Sequence, residues 1–292
     1  MMKIKKAVIT AAGLGTRMLP ATKSIPKEML PIVDKPALQY QVEECVASGI
    51  TDILIIISRG KQTIEDHFDF APELDMKLRS GGKIKLADEV RAVSDMANIT
   101  YVRQAEQLGL GSAVLCAKAF TGDEPFALIL GDDVIIGKTP ATSELCEAFA
   151  KYGKSAVGIK RVPDEWVQRY GTVRVKELSD GNFAVDAMLE KAPAGQAYSN
   201  YAILGRYVIT PDIYPLLAKQ EKGAGGEIQL TDSLAKLAGT VGMIGVPFSG
   251  ERYDMGNKND MLRAIIDVAL SRDDLKDEFI RLIKERASAF NE

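Results

Sequence analysis

Short, nearly unbroken apolar runs alternate with longer amphipathic stretches over the first half of the chain. "KAVIT" (Lys6–Thr10), "DILIIIS" (Asp52–Ser58), "ITYVR" (Ile99–Arg103) and "FALILGDD" (Phe126–Asp133) predict strands. Their apolar residues are continuous rather than alternating, which suits strands covered on both faces. "ALQYQVEECVASG" (Ala37–Gly49) predicts a helix closed by a glycine, and "GSAVLCAKAF" (Gly111–Phe120) predicts another. Alternating strands and helices imply a parallel, doubly wound sheet. Residues 60–98 hold no strong strand. Within them "ELDMKLRSGGKIKLADEVRAV" reads as two charged helices about a Gly-Gly turn, an insertion on the surface of the sheet domain.

From Ser155 onward the pattern changes. "SAVGIKRV", "GTVRVKEL", "NFAVDAMLEK" and "SNYAILGRYVI" are strand-like, with polar turns such as "SDGN" between them. They predict an antiparallel or mixed portion added to the sheet. Helices return at "DIYPLLAKQ", at "TDSLAKLA" and from Lys258 to the end. The last stretch, Asp274 to Phe290, puts Leu275, Phe279, Leu282 and Ile283 on one face, to pack on its own domain or on a partner subunit. The fold class expected is α/β, with a mixed, mostly parallel, doubly wound sheet. Residues 1–270 form one domain, with 60–98 as the insertion and 155–210 as the antiparallel portion; 271–292 form a C-terminal helix.

Composition narrows the chemistry. The 292 residues are 46% hydrophobic and 26% charged, ordinary for a soluble globular chain with a sizeable core. A formal net charge of −3 leaves no basic surplus to neutralise nucleic-acid phosphates. Cys45, Cys116 and Cys146 are scattered and form no C-x-x-C pair, so reduced, mostly buried thiols are expected. Glycines interrupt the N-terminal apolar run too soon for a secretory signal, and no stretch approaches a membrane span. A cytoplasmic protein without nucleic-acid or membrane partners is expected. The single histidine, His67, rules out multi-histidine metal sites. Its neighbours "EDHFDF" hold no nucleophile, so it reads as a partly exposed helix residue.

The candidate chemistry sits in the loop after the first strand, "AAGLGTRMLPATKSIPKEMLP" (Ala11–Pro31). In parallel α/β sheets ligands bind at the carboxyl ends of the strands. Gly13 and Gly15 let the backbone approach a ligand with no Cβ in the way. Arg17, Lys27 and Lys23 offer positive charge, and Pro20, Pro26 and Pro31 stiffen the loop. The stretch is neither G-x-G-x-x-G nor an ATPase phosphate loop. "AAGLG" alone fits a glycine turn and a phosphate site equally; the cations and prolines that follow favour phosphate.

The whole stretch resembles the signature of the sugar-1-phosphate nucleotidyltransferases, the enzymes that make nucleotide sugars. "KPALQYQVEE", "VRQAEQLGLGSAVLCA", "LILGDDV", "YGTV", "LEK", "SNYAILGRYVITP" and "GEIQLTDSL" are similar to the bacterial uridylyltransferase branch, from about Lys5 to about Ala269. The resemblance implies a Rossmann-like fold whose 155–210 portion binds the sugar. It also implies transfer of a uridylyl group from UTP to glucose 1-phosphate, giving UDP-glucose and pyrophosphate. Thymidylyl transfer to the same sugar and a non-catalytic nucleotide-sugar sensor are the alternatives. A phosphate monoester with a second pKa of about 6 is largely ionised at neutral pH, so the reaction needs alignment and positive charge rather than a general base.

Residue by residue, the resemblance implies that Arg17 and Lys27 hold the triphosphate and that Lys191 meets the sugar phosphate. Ala12, Gly13 and Gly15, with Glu28, Gln104 and Gly109, correspond to the nucleotide pocket. Gly171, Glu190, Lys191 and Asn200 correspond to the sugar pocket. Asp132 and Asp254 correspond to ligands of Mg²⁺, for which hard carboxylate oxygens suit the ion; Asp133 is given no role. The chain departs from the family's usual pattern at Ala192, where proline is common, and at Met255. A homo-oligomer, dimer or tetramer, is also implied.

Overall fold

The computed structural model describes residues 3–193, 195–223 and 226–288. The chain begins with β1 (Lys6–Thr10), a tight ribbon of β2 (Pro31–Ile32) and β3 (Lys35–Pro36), and α1 (Ala37–Ala47). There follow β4 (Asp52–Ile57), helices α2 (Gln62–Phe68), α3 (Pro72–Ser80) and α4 (Ile84–Asp95), and β5 (Asn98–Arg103). Next come α5 (Leu110–Cys116), α6 (Lys118–Thr121), β6 (Phe126–Leu130), β7 (Asp133–Ile136) and α7 (Ala141–Tyr152). The second half runs β8 (Ala156–Arg161), β9 (Gly171–Glu177), β10 (Phe183–Glu190), β11 (Tyr201–Ile209), α8 (Ile213–Ala218) and α9 (Leu230–Val241). It ends with β12 (Met243–Pro247), β13 (Glu251–Asp254), α10 (Lys258–Ser271) and α11 (Lys276–Ser288).

Nine strands form one sheet in the order β5-β4-β1-β6-β11-β8-β12-β10-β9. β10 and β11 run against the other seven. The unbroken apolar runs have the reason the sequence suggested: side chains alternate across the pleat and both faces are covered. From β1, Val8 joins one buried cluster with Leu54, Leu128 and Leu234. Ala7 and Ile9 join the other, with Ile53, Ile129, Val42 and Leu145. The sheet is mixed and largely parallel in direction, as expected. The two charged helices about the Gly-Gly turn are α3 and α4, preceded by α2, which carries the half-buried His67. No helix among the described residues is long and apolar enough to cross a membrane.

Four boundaries differ from the sequence expectation. "FALILGDD" is not one strand: β6 stops at Leu130, and Gly131 donates its N–H to the Thr10 carbonyl at 2.9 Å. A Cβ at Gly131 would collide with that carbonyl, so the chain turns there and Asp133 opens β7. The helix expected over 111–120 is two short ones, α5 and α6. The helical tail breaks at Arg272–Leu275, where Arg272 binds Asp274 and Asp34; Ala289 and Phe290 lie outside the described residues. β12 and β13 were not anticipated. β12 lies parallel to β8 inside the sheet, and β13 pairs with β7 in a separate ribbon.

β11 leaves the antiparallel segments and inserts between β6 and β8. This central strand carries Arg206, which is fully buried. Its guanidinium grips Glu44 of α1 through Nε to Oε1 at 3.0 Å and Nη2 to Oε2 at 2.7 Å. Thr142, at the start of α7, donates to the same carboxylate from its N–H at 2.9 Å and its hydroxyl at 2.6 Å. Burial would raise the Glu44 carboxyl, but Arg206 and the Thr142 hydrogen bonds hold it below its ordinary value.

Candidate functional site

The site lies at the carboxyl ends of β1, β4 and β6, where the opening loop leaves the sheet. Three short 3-10 turns, Thr16–Met18, Ala21–Lys23 and Lys27–Met29, fold this loop back on itself. Gly15 takes a left-handed conformation (φ 67°), and its carbonyl accepts the Thr22 hydroxyl at 2.8 Å. A Cβ at Gly15 would press on Lys27 and Thr22, and one at Gly13 would come 3.6 Å from the Lys27 ammonium. Loop backbone and lysine head therefore share one concave surface.

β7 and β13 bring the carboxylates to it. Their register sets Asp133 directly opposite Asp254, and the Met255 N–H donates to the Asp132 carbonyl at 2.8 Å. Three acids close together repel one another, and like charges directly opposite on a ribbon are destabilising. Cations are interleaved among them. Lys27 sits 2.6 Å from Asp132; Arg17 lies 3.0 Å from Asp254 and 3.6 Å from Asp132. Arg252 pairs with Asp133 and lies 5.4 Å over the Tyr170 ring. Burial pushes the Asp133 carboxyl up; Arg252 pulls it back and its two acidic neighbours raise it again, to about 6. Burial would lower the Lys27 ammonium, but Asp132 and Glu28 together outweigh this and raise it.

A cavity of about 520 Å³ opens beside this cluster. Arg17, Asp132, Asp133, Arg252 and Asp254 of the charged cluster line it together with Tyr170, Gly171, Glu190, Lys191 and Thr231, and the two groups meet where Arg252 lies over Tyr170. Glu190 Oε2 accepts the Thr231 hydroxyl at 2.6 Å. A Cβ at Gly171 would stand 3.0 Å from that same oxygen, so glycine leaves the carboxylate room. Lys191 holds a left-handed backbone (φ 45°) and donates its N–H to the Tyr170 carbonyl at 3.1 Å, which turns it at the cavity rim. Ala192 is buried directly behind it.

Gln104, Gly109, Gln107 and Glu28 form a neighbouring group. The Gln104 amide donates to the Gly109 carbonyl at 3.3 Å, leaving its oxygen as an acceptor. Gly109 has φ 100°, and a Cβ there would run into the Ile228 backbone. Gln107, which sequence reasoning missed, donates to the Ala12 carbonyl at 2.7 Å and ties the two loops together. Glu28 is buried in an ion pair with Lys61, at 2.7 Å. Asn200 stands apart: its side chain meets Arg161 at 3.2 Å and Asp164 at 3.5 Å and does not line the cavity.

The chain itself has counterparts among known proteins. A nucleotidyl transferase family model matches residues 6–270. The chain belongs to that family. A UTP–glucose-1-phosphate uridylyltransferase of Bacillus subtilis (strain 168) is 47% identical over 280 residues, 96% of each chain. A UDP-glucose pyrophosphorylase crystallised with UDP-glucose superposes with a TM-score of 0.83 at 39% identity, covering 92% of this chain and all of that one. A UTP-bound UGPase from Acinetobacter baumannii gives 0.89 at 37% identity, over 97% and 99%. Two cavity-lining residues were left unassigned by the sequence: Thr231, within the quoted stretch "GEIQLTDSL", and Arg252, two residues before Asp254.

The donor set also fits a hard divalent cation. Asp132 and Asp254 converge on one point, the Arg17 guanidinium, so a positive charge is already favoured there. Among the described residues no group of three or more His, Cys, Asp or Glu gathers as a complete metal cluster. Two carboxylates with the remaining positions left to substrate oxygens and water is the arrangement Mg²⁺ uses with phosphates.

Proposed function

We propose that the protein transfers the uridylyl group of UTP to glucose 1-phosphate, giving UDP-glucose and pyrophosphate. The observation that supports this best is one cavity lined by two chemically different groups of residues. The cations and paired acids suit a triphosphate; Glu190, Gly171 and Lys191 suit a hydroxylated, phosphorylated sugar. A sugar phosphate oxygen attacks the α-phosphorus of UTP, the bond to the β-phosphate bridging oxygen breaks, and pyrophosphate leaves with that electron pair. The nucleophile is already anionic near neutral pH, since its second pKa is about 6, so no side chain need remove a proton.

Arg17 spans two phosphate oxygens with its planar guanidinium, and Lys27 acts as a point charge on the triphosphate. Ala12, Gly13 and Gly15 offer backbone to the nucleotide, with Glu28, Gln104 and Gly109 at the base. Glu190 accepts hydrogen bonds from sugar hydroxyls, and Lys191 neutralises the attacking phosphate. Mg²⁺ on Asp132 and Asp254, when bound, supplies charge neutralisation at the phosphates. A cytoplasmic homo-oligomer, dimer or tetramer, completes this reading, and light scattering in solution checks its subunit number.

A pyrophosphate-release assay with glucose 1-phosphate and UTP, dTTP or other triphosphates, with and without Mg²⁺, tests the reaction. Turnover with UTP that requires Mg²⁺ is expected. Preference for dTTP would mean thymidylyl transfer, and silence with every triphosphate would mean a binding protein. Asp132→Asn is expected to abolish turnover while keeping the parental circular dichroism spectrum; near-parental activity would remove Asp132 from the metal site.

A further inference from the structure

We propose that Lys61 is a positioning residue for the nucleotide: it anchors one oxygen of Glu28 so that the other remains an unpaired acceptor for the lactam N–H of a uracil ring. The inference rests on the uridylyl-transfer reading above. Lys61 follows β4, the neighbour of β1 in the sheet, so the loop carrying it lies beside the opening loop at the carboxyl edge. Gly60 turns the chain through a left-handed conformation (φ 82°) just before it.

Lysine is rarely buried without a reason, yet Lys61 is only 6% exposed and Glu28 1%. Among the described residues, this ion pair and Arg206–Glu44 alone have both side chains under a tenth exposed. The Arg206–Glu44 carboxylate has both oxygens bonded. Glu28 does not: Lys61 Nζ holds Oε2 at 2.7 Å, while Oε1 is buried with no hydrogen-bond partner. A buried, unpartnered carboxylate oxygen is costly unless something else satisfies it. Burial pushes the Glu28 carboxyl toward its neutral form, and Lys61 is the strongest of the groups pulling it back.

The pair also closes one end of an alternating row of charges. Lys61 holds Glu28 at 2.7 Å, and the residue just before Glu28, Lys27, holds Asp132 at 2.6 Å. Asp132 and Asp254 then bracket Arg17. The acceptor at the base is thereby fixed relative to the cations at the phosphates. An acceptor-only group accepts the N3–H of uracil and faces the bare N3 lone pair of cytosine, so the arrangement discriminates by leaving the wrong base unpaired.

The test is steady-state kinetics and UTP-binding calorimetry on the full chain. Lys61→Met, which keeps the stem and removes the charge, is expected to raise the KM and Kd for UTP about tenfold or more, the size of one lost charge-assisted hydrogen bond. The KM for glucose 1-phosphate should stay within about twofold, because no bond to that ligand is removed. The preference for UTP over CTP should narrow, and Lys61→Arg should restore most of it. The double variant Glu28→Gln/Lys61→Met carries no unpaired buried charge, so it should fold while keeping the high UTP Kd. Parental UTP affinity and UTP-over-CTP preference in either Met-bearing variant would overturn the proposal, as would a lowered Tm with both unchanged. Calorimetry reads UTP without turnover, so failure of the transfer reaction itself is seen separately in the parent protein.

Discussion

Gly205 shows how tightly the acidic cluster constrains single positions. It sits in β11 with φ 65°, and a Cβ there would collide with the Asp133 carboxylate that Arg252 holds. Gly205→Ala therefore combines backbone strain with steric overlap and is expected to cost about 2 kcal/mol or more. Chemical denaturation checks this, and an unchanged midpoint would mean that Asp133 is free to move. The sequence marked "YAILGRYVI" as a strand but held no local sign that its glycine makes room for an acid 72 residues earlier. The signature residues differ in this respect. Gly13, Gly15, Arg17 and Lys27 lie within fifteen positions of one another, and their convergence follows from the loop itself.

At the scale of elements, α1, α7 and β11 are clamped by one buried arrangement, Glu44 with Arg206 and Thr142. Glu44→Ala leaves the Arg206 charge buried without its partner, and about 3–5 kcal/mol of stability should be lost. The pH dependence has a definite sign. Because the folded protein holds the Glu44 carboxyl below its unfolded value, its contribution is full above the ordinary glutamate range and is lost as pH falls through and below it. Denaturation midpoints should therefore drop between about pH 5 and pH 3 in the parent and drop less steeply in Glu44→Ala. Equal slopes would show that other carboxylates govern acid unfolding. The strands of the first half were legible because their burial on both faces writes an unbroken apolar run. "GSAVLCAKAF" was read as one helix because composition alone does not report the turn at Ala117.

At the scale of the molecule, the cavity gathers residues from distant parts of the chain: Arg17 of the loop after β1, the acids at β7 and β13, and Gly171 and Glu190 of β9 and β10. Variants in the two groups of lining residues should separate in kinetics. Lys191→Ala is expected to raise the KM for glucose 1-phosphate more than that for UTP, by about tenfold for one lost ionic hydrogen bond; the reverse pattern would exchange the sugar and nucleotide groups. The chain's own order of residues determined the α/β class, the strands of the first half, the paired helices of 60–98 and the loop rich in glycine and cations. All of these are written in neighbouring residues, through periodicity, turn chemistry and charge. Tertiary structure alone decided that β11 enters between β6 and β8, that Arg17 rests between acids 115 and 237 positions away, that Asn200 meets Arg161 and Asp164, and that Lys61 reaches Glu28. Those outcomes depend on which distant strands become neighbours, and the free energy of burying a charge is settled only when its partner arrives from elsewhere in the chain.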